Sequence, residues 1–264
     1  MPTTKTRKRI RSASIPNNFG WLRDLPDHRD HRFAASPRVL AKLPSSVDLR
    51  AGLPAPYDQG QLGSCTANAL AGAFQYLLKS EKKRSFTPSR LFIYYNERVI
   101  EHHVDQDAGA MLRDGIKALN QWGACAETAW PYDPSQFATK PSAPCYAGAL
   151  KHQLLKYERM DQDLNQLRGC LAQGLPFVFG FTVYSAFMSP ATAKTGVGNL
   201  PGPGETPQGG HAVLAVGYDD PSQRFLMRNS WGPAWGQKGY FTLPYAYLLQ
   251  AGLCSDFWAL QILE

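Results

Sequence analysis

Four residues, in chain order Gln59, Cys65, His211 and Asn229, carry the side chains from which acyl transfer onto a thiol can be assembled. A cysteine attacks a carbonyl as its thiolate. Cys65 stands behind a Gly-Ser turn where TANALAGAFQYLLKS begins a helical pattern, and a helix N-terminus favours the anion through its dipole and free N–H groups. A histidine can take the thiol proton and return it to a leaving amine. His211 follows Gly209 and Gly210, which remove bulk, and leads an apolar run, HAVLAVGY, that gives its ring a rigid support. Asn229, in RNSWGPAWGQKGY, offers an amide oxygen to an imidazole N–H, with Trp231 and Trp235 beside it to exclude water. Gln59, in YDQGQLGSC, offers a side-chain amide to a developing oxyanion, alongside the N–H at the helix start.

Taken singly, each has an ordinary explanation. Free cysteine is among the most buried residue types, a loop glutamine is common, a histidine at a strand edge is usually structural, and tryptophans pack. The order and combination carry the signal.

The elements that must position these residues follow from periodicity. Leu70, Phe74, Leu77 and Leu78 form the apolar face of a helix over 66–80, with Ser64 as its N-cap. Further helices are expected at SRLFIYYNERVIEH after Pro88, from about Gly109 to Gly123, and at DQDLNQLRGCLAQ (161–173). The period then changes to extended: LPFVFGFTV (175–183), HAVLAVGY (211–218), RFLMRN (224–229) and GYFTL (239–243) read as strands. A helical first half joined to a strand-rich second half is an α+β arrangement with two lobes. The 264 residues, 44% hydrophobic, suffice for one large domain or two lobes around a cleft, and 23 glycines and 20 prolines favour long irregular connections.

YDQGQLGSC, GGHAVLAVGY and NSWGPAWGQKGY together resemble the signature blocks of the papain-like C1 cysteine peptidases, and LPSSVDLR (43–50) resembles the mature start in that family. The likeness, nearest to bacterial members, runs from Leu43 to the C-terminus, with a Cys-to-His/Asn separation of the expected order of about 130–150 residues. It implies a helical left lobe and an antiparallel β-barrel-like right lobe, with the cleft between them. It also implies a peptidase acting through a thioacyl intermediate: Cys65 as nucleophile, His211 as base and acid, Asn229 as orienter, Gln59 as oxyanion donor. Three departures stand out. Leu62 replaces a disulfide cysteine, Thr66 replaces the usual aromatic, and DQDAGAML (105–112) replaces a glycine-rich cysteine motif while keeping Gly109. Residues 1–42, ahead of the mature-like start, do not resemble the family's long helical pro-region. The implied substrate pocket takes in Met111, Leu112, Gly180 and Gly210, near Ser255, with Trp231 also in the cleft. Met111 and Leu112 favour an apolar or aromatic side chain, Gly180 leaves room, and Gly109 can pair with an extended substrate backbone. The ordinary reading of Met111 and Leu112 is helix core.

Residues 1–42 read differently from the rest and are set apart as an N-terminal arm, with the peptidase domain at 43–264. Phe19, Trp21, Leu22 and Leu25 are costly to leave in water, so the arm is expected to dock on the chain's own body and cover the cleft like a short pro-segment. Of the formal charge of +7, +5 sits in residues 1–12, leaving +2 for everything else. That remainder is a small footprint for nucleic acid. No segment is long and apolar enough to span a bilayer, and no Sec signal is visible, so the expectation is cytoplasm or another export route. The five cysteines leave at least one thiol free, and Cys125 with Cys145 is the favoured pair. No Cys/His cluster has metal-ligand spacing, His102-His103 standing alone, and no cofactor is expected. The expected partner is a polypeptide substrate of a monomeric enzyme. Rival readings are a Cys-His acyltransferase of transglutaminase or N-acetyltransferase type, which ordinarily completes its triad with aspartate, an inactive binding protein of the same fold, and a nucleic-acid-binding module.

Overall fold

The computed structural model describes residues 19–261, so the basic segment 1–12 lies outside it. In chain order the elements are β1 (Trp21–Leu22), α1 (Pro37–Leu40), β2 (Ser46–Asp48), α2 (Cys65–Ser80), α3 (Arg90–Ile100), β3 (Ala110–Met111), α4 (Leu112–Gln121), α5 (Ala143–Ala149), β4 (Lys156–Arg159), α6 (Leu164–Ala172), β5 (Phe177–Tyr184), α7 (Pro190–Thr195), β6 (Pro207–Asp219), β7 (Arg224–Arg228), β8 (Tyr240–Pro244), α8 (Tyr245–Leu248) and β9 (Cys254–Gln261).

Helix α2 runs through the middle of the molecule. Every residue from Cys65 to Phe74 is buried, so the helix is enclosed on all sides rather than presenting a single apolar stripe. It packs on α3 and α4 on one side and on β6 on the other. Its alanines and Gly72 allow that approach: a Cβ on Gly72 would press on the Arg228 guanidinium. Ser64 occupies the N-cap position without a side-chain cap bond. Its hydroxyl lies 2.6 Å from the Tyr132 hydroxyl and accepts from Asn68 Nδ2 at 3.1 Å, so packing against the 132 loop outcompetes the cap.

The strands form a seven-stranded sheet in the order β4-β9-β5-β6-β7-β8, with β2 pairing to the end of β6 that β5 leaves free. All its described pairings are antiparallel. This confirms the α+β class but corrects the barrel-like expectation: β4 and β8 stand at opposite edges, and the sheet remains open. The central strand β6 starts four residues before His211, longer than its apolar stretch suggests, because Gly209 and Gly210 continue the ladder opposite Val183 and Thr182.

The arm also differs in detail from expectation. Trp21 is buried and Phe19 half-buried, but Leu22 and Leu25 remain exposed, Leu25 at 67%. Farther along, residues 31–40 are built into the body. Phe33 N–H donates to Arg159 O at 2.9 Å, Arg159 N–H returns to His31 O at 2.7 Å, and Phe33 and Ala35 join the sheet-side core. Helix α1 packs on α6. The third expected helix begins at Leu112 rather than near Gly109, because Ala110–Met111 is drawn into an extended pair with β1.

All five cysteines are buried free thiols, which corrects the expected Cys125–Cys145 bridge. The two share a small cluster with Phe92 and Ala149. Cys145 Sγ instead sits 3.2 Å from Ser142 Oγ and donates to Ala129 O at 3.5 Å.

Candidate active site

A loop, a helix start and two strands bring the chemistry together. Cys65 is the first residue of α2, so its own N–H has no partner within the helix. Strand β6 passes alongside, and the N–H of Ala212 donates to Cys65 Sγ at 3.4 Å, which sets the thiol one residue from His211. Strand β7 ends at Arg228, and Asn229 follows with its N–H bonded to Gly239 O at 2.9 Å. The Gln59 loop is tied to the Asn229 turn through Gln59 N–H to Ser230 O at 2.8 Å and Gly232 N–H to Tyr57 O at 2.8 Å. The four sequence-derived residues therefore converge although they come from both halves of the chain. Each is no more than 1% exposed.

The hydrogen bonds define proton positions. His211 Nε2 and Asn229 Oδ1 are 2.8 Å apart, and the same Oδ1 accepts the Ser230 N–H at 2.8 Å. An atom that accepts from a backbone N–H is the amide oxygen, so the imidazole nitrogen facing it carries the hydrogen. Nδ1 is then the basic nitrogen, and it is buried without a partner among the described residues. Trp231 stacks on the ring, centroids 4.9 Å apart at 28°, and Trp235 meets Trp231 edge-on at 4.9 Å. Gln59 Oε1 accepts from Ser230 Oγ at 2.6 Å, while Nε2 donates to Leu62 O at 2.9 Å. A primary amide has two hydrogens, so Gln59 keeps one for another acceptor.

The covered site is electrically quiet. Burial pushes the Cys65 thiol up to about 12, against the pull of the Ala212, Gly20 and Thr66 N–H groups and with an added push from Glu97. Burial likewise takes His211 down to about 4, opposed by its bond to Asn229. The proton thus rests on sulfur and the ring is neutral.

Residues 19–21 of the arm lie against these side chains. Gly20 O accepts the Ala110 N–H at 2.8 Å, and β1 runs parallel to β3. Gly109 (φ 79°) and Gly20 are both required here, since a Cβ on Gly109 would strike Gly20 O and one on Gly20 would strike Gly63 O. Phe19 lies 6.2 Å from the His211 ring and 6.3 Å from Trp231. The Trp21 indole fills the space that Gly180 and Gly210 leave, where a Cβ on either would overlap it. Of the expected pocket residues, Gly180 and Gly210 meet the indole directly and Leu112 lies fully buried in the same cluster as Trp21. Met111 is half-buried, with its N–H on Glu101 at 2.7 Å.

Sequence reasoning missed a second group. Thr66 Oγ1 donates to buried Glu97 at 2.6 Å, which accounts for a hydroxyl where an aromatic was expected. Asp107 accepts from Gly63 N–H at 3.0 Å and Tyr94 O–H at 2.5 Å, fixing the loop ahead of Cys65. Asp24, Asp30, Arg113, Arg159, Trp258 and Asp256 form one network between arm and body. Asp24 accepts from Trp258 Nε1 at 2.8 Å, Arg113 N–H at 3.1 Å and Arg159 at 3.1 Å. Arg113 pairs with Asp30 through two bonds, at 3.2 and 2.5 Å, and Asp256 accepts from Arg159 at 2.7 Å. The only available signal was the acidic and basic crowding of LRDLPDHRDHR. Among the described residues no group of three or more Cys, His, Asp or Glu is placed to hold a metal, and no helix is long and apolar enough to cross a membrane.

Comparison with known proteins bears on this geometry. Residues 43–255 match the model of the papain family cysteine proteases. An uncharacterized peptidase C1-like protein of Acanthamoeba polyphaga mimivirus is 40% identical over 95% of this chain and 88% of its own. The cathepsin B-like CP3 of Giardia intestinalis is 30% identical over 80% of this chain and 73% of its own. Among solved structures, xylellain, a cysteine protease from Xylella fastidiosa, superposes with a TM-score of 0.88 at 44% identity, covering 99% of this chain and all of that one.

Proposed function

Because the chain belongs to the papain family and is a cysteine peptidase acting on polypeptides, we propose that Cys65 is its nucleophile, His211 its base and acid, Asn229 the orienting residue and Gln59 an oxyanion donor. The observation that carries this assignment is the double use of Asn229 Oδ1, which leaves His211 Nδ1 as the basic nitrogen beside a thiol at the start of α2.

In the reaction so assigned, the Cys65 proton passes to His211 Nδ1 and the sulfur pair forms the S–C bond to the substrate carbonyl. The oxyanion is received by the Cys65 N–H and the spare Gln59 Nε2 hydrogen. Collapse breaks the C–N bond as His211 protonates the departing amine, leaving a thioester. His211 Nδ1 then takes a proton from water, the hydroxide adds to the thioester carbonyl, and collapse breaks the C–S bond and releases the acid as His211 returns the proton to the Cys65 sulfur. Asn229 accepts from Nε2–H throughout, and Trp231 keeps that bond dry.

The arm is read as a blocker of this cleft. Phe19 covers His211, which must meet the leaving amine, so the acyl side of a substrate lies toward Trp21. A substrate therefore passes from the Trp21 position through the Gly20 position to the Phe19 position, opposite to the arm's own direction. It runs antiparallel to β3, where the arm runs parallel. This reversal accounts for an arm that fills the cleft without presenting a peptide bond in the attackable sense. The displaceable part is residues 19–30, since 31–40 are tied to β4 and α6. The 43–264 domain thus keeps residues 31–42 as part of its body. The assignment predicts that a fluorogenic peptide is cleaved by Trp21→Ala, which takes the indole out of the cleft, and not by Trp21→Ala/Cys65→Ala. Equal cleavage by both proteins refutes it.

A further inference from the structure

Asp256 lies at the inner end of the pocket that Trp21 fills. It is 1% exposed and held at φ 58°, a backbone conformation that non-glycine residues seldom adopt. Its Oδ1 accepts from Arg159 Nη2 at 2.7 Å. Its Oδ2 accepts from Trp21 Nε1 at 3.2 Å and Asp24 N–H at 2.8 Å. Both described donors to Oδ2 therefore belong to the arm. Beside it, Ser255 Oγ is buried with no partner among the described residues. When the arm leaves, a buried carboxylate oxygen and a hydroxyl face an empty pocket walled by Gly180 and Gly210.

Three kinds of side chain could enter. An apolar ring would seal Oδ2 from water without giving it a donor, the expensive way to bury a charged acceptor. A cation would supply donors, but charge opposes it. From the body Arg159 on β4 pairs with Asp256, and from the arm Arg23, Asp24, Asp27, His28, Asp30 and Arg32 line the same space. Without residues 19–30, Arg159 already balances the one carboxylate, so an entering cation would bring an unmatched positive charge. A neutral ring bearing an N–H replaces the lost donor and adds no charge. We infer that Asp256 is a specificity-determining residue that selects a neutral, N–H-bearing side chain, with tryptophan the best fit, at the substrate residue on the amino side of the one contributing the scissile carbonyl. The inference deepens the peptidase reading and rests on it. It narrows the apolar-or-aromatic preference expected from Met111 and Leu112.

The test is a competition assay with the full chain and three peptides that differ only at that residue: Trp, Phe or Arg. Ratios of kcat/KM are independent of how much of the protein has its cleft open. Trp is expected over Phe by about tenfold or more, from the worth of a hydrogen bond to a charged group, and over Arg as well. In Asp256→Ala the Trp-to-Phe ratio falls to about one. Equal use of Trp and Phe, a preference for Arg, or a ratio unchanged in Asp256→Ala overturns the inference. Trp21→Phe provides a second reading that does not depend on the folding of Asp256→Ala. It keeps a ring and removes the N–H, so alkylation of Cys65 in the full chain should accelerate about tenfold, and an unchanged rate contradicts the role given to Asp256. Cleavage without discrimination removes this inference alone. No cleavage of any peptide, together with a Cys65 that stays unreactive in Trp21→Phe as well, removes the peptidase assignment and the inference with it.

Discussion

Replacing Trp21 by alanine in the full-length chain should switch the cleft from closed to open. The indole is 7% exposed when docked, fills the space beside Gly180 and Gly210, and bonds to Asp256. Truncating a tryptophan buried in this way costs about 3–5 kcal/mol. In the open state the side chain stands in water, so most of that cost falls on the closed state and not on the fold. At 1.4 kcal/mol per factor of ten, the open population rises by about two to three orders of magnitude, up to full opening. The assay is the second-order rate of Cys65 alkylation by iodoacetamide, followed by intact mass, with thermal unfolding measured in parallel. The expected result is an alkylation rate at least about a hundredfold faster, unless full opening caps the gain, with the body still cooperatively folded. A Trp21→Ala protein that alkylates at the wild-type rate would refute the view that the arm controls access to the thiol.

Three further outcomes follow from named contacts. Burial and the neighbouring Asp256 carboxylate raise docked Asp24 to about 6 from an ordinary 3.8, so its contribution to docking is full below 3.8 and lost as pH rises through 6. His211 works in the opposite sense: at about 4 when covered against an ordinary 6.5, it favours docking above 6.5 and withdraws that support as pH falls through 4. Asp24→Asn removes the first effect alone, so hydrogen exchange over residues 19–30, corrected for its intrinsic pH dependence, should show release of the arm on acidification from 6.5 to 4; a profile identical to wild type contradicts this. Asn229→Ala leaves His211 Nε2–H without its acceptor, so kcat should fall at least about tenfold with KM little changed, and an unaltered kcat would count against the orienting role. Gly180→Ala puts a methyl group where the indole lies, so it should speed Cys65 alkylation while lowering turnover of Trp peptides relative to Leu peptides; unchanged values of both would place the pocket elsewhere.

The readable part of this molecule was local. The sequence blocks around Cys65, His211 and Asn229 are short runs whose neighbours in the chain are also their neighbours in space, and α2 was legible to within a residue because its apolar pattern is strong. The unreadable part was long-range. Asp24 meets Asp256 across 232 positions and Trp258 across 234, and nothing in either segment alone signals the other. Strand β9, which carries Asp256 and Trp258, has an apolar run of only four residues, Phe257 to Leu260, after the polar pair Ser255-Asp256, and so short a run does not tell a strand from a buried helix. Leu22 and Leu25 were expected to dock on hydrophobicity alone, yet stay exposed, because docking is governed by Trp21 and by the charge network. The pocket itself is defined by what Gly180 and Gly210 lack, which has no meaning until the indole is seen against them. The open edges at β4 and β8 likewise depend on pairings that no single strand encodes.

Every role assigned in the cleft depends on Cys65 being the nucleophile. The most direct measurement is to treat Trp21→Ala with an epoxysuccinyl peptide, digest, and map the adduct by mass spectrometry, with Trp21→Ala/Cys65→Ala in parallel. One adduct per chain is expected, on the Cys65 peptide, and none in the double variant. An adduct on Cys125, Cys145, Cys170 or Cys254, or labelling that survives loss of Cys65, would contradict it.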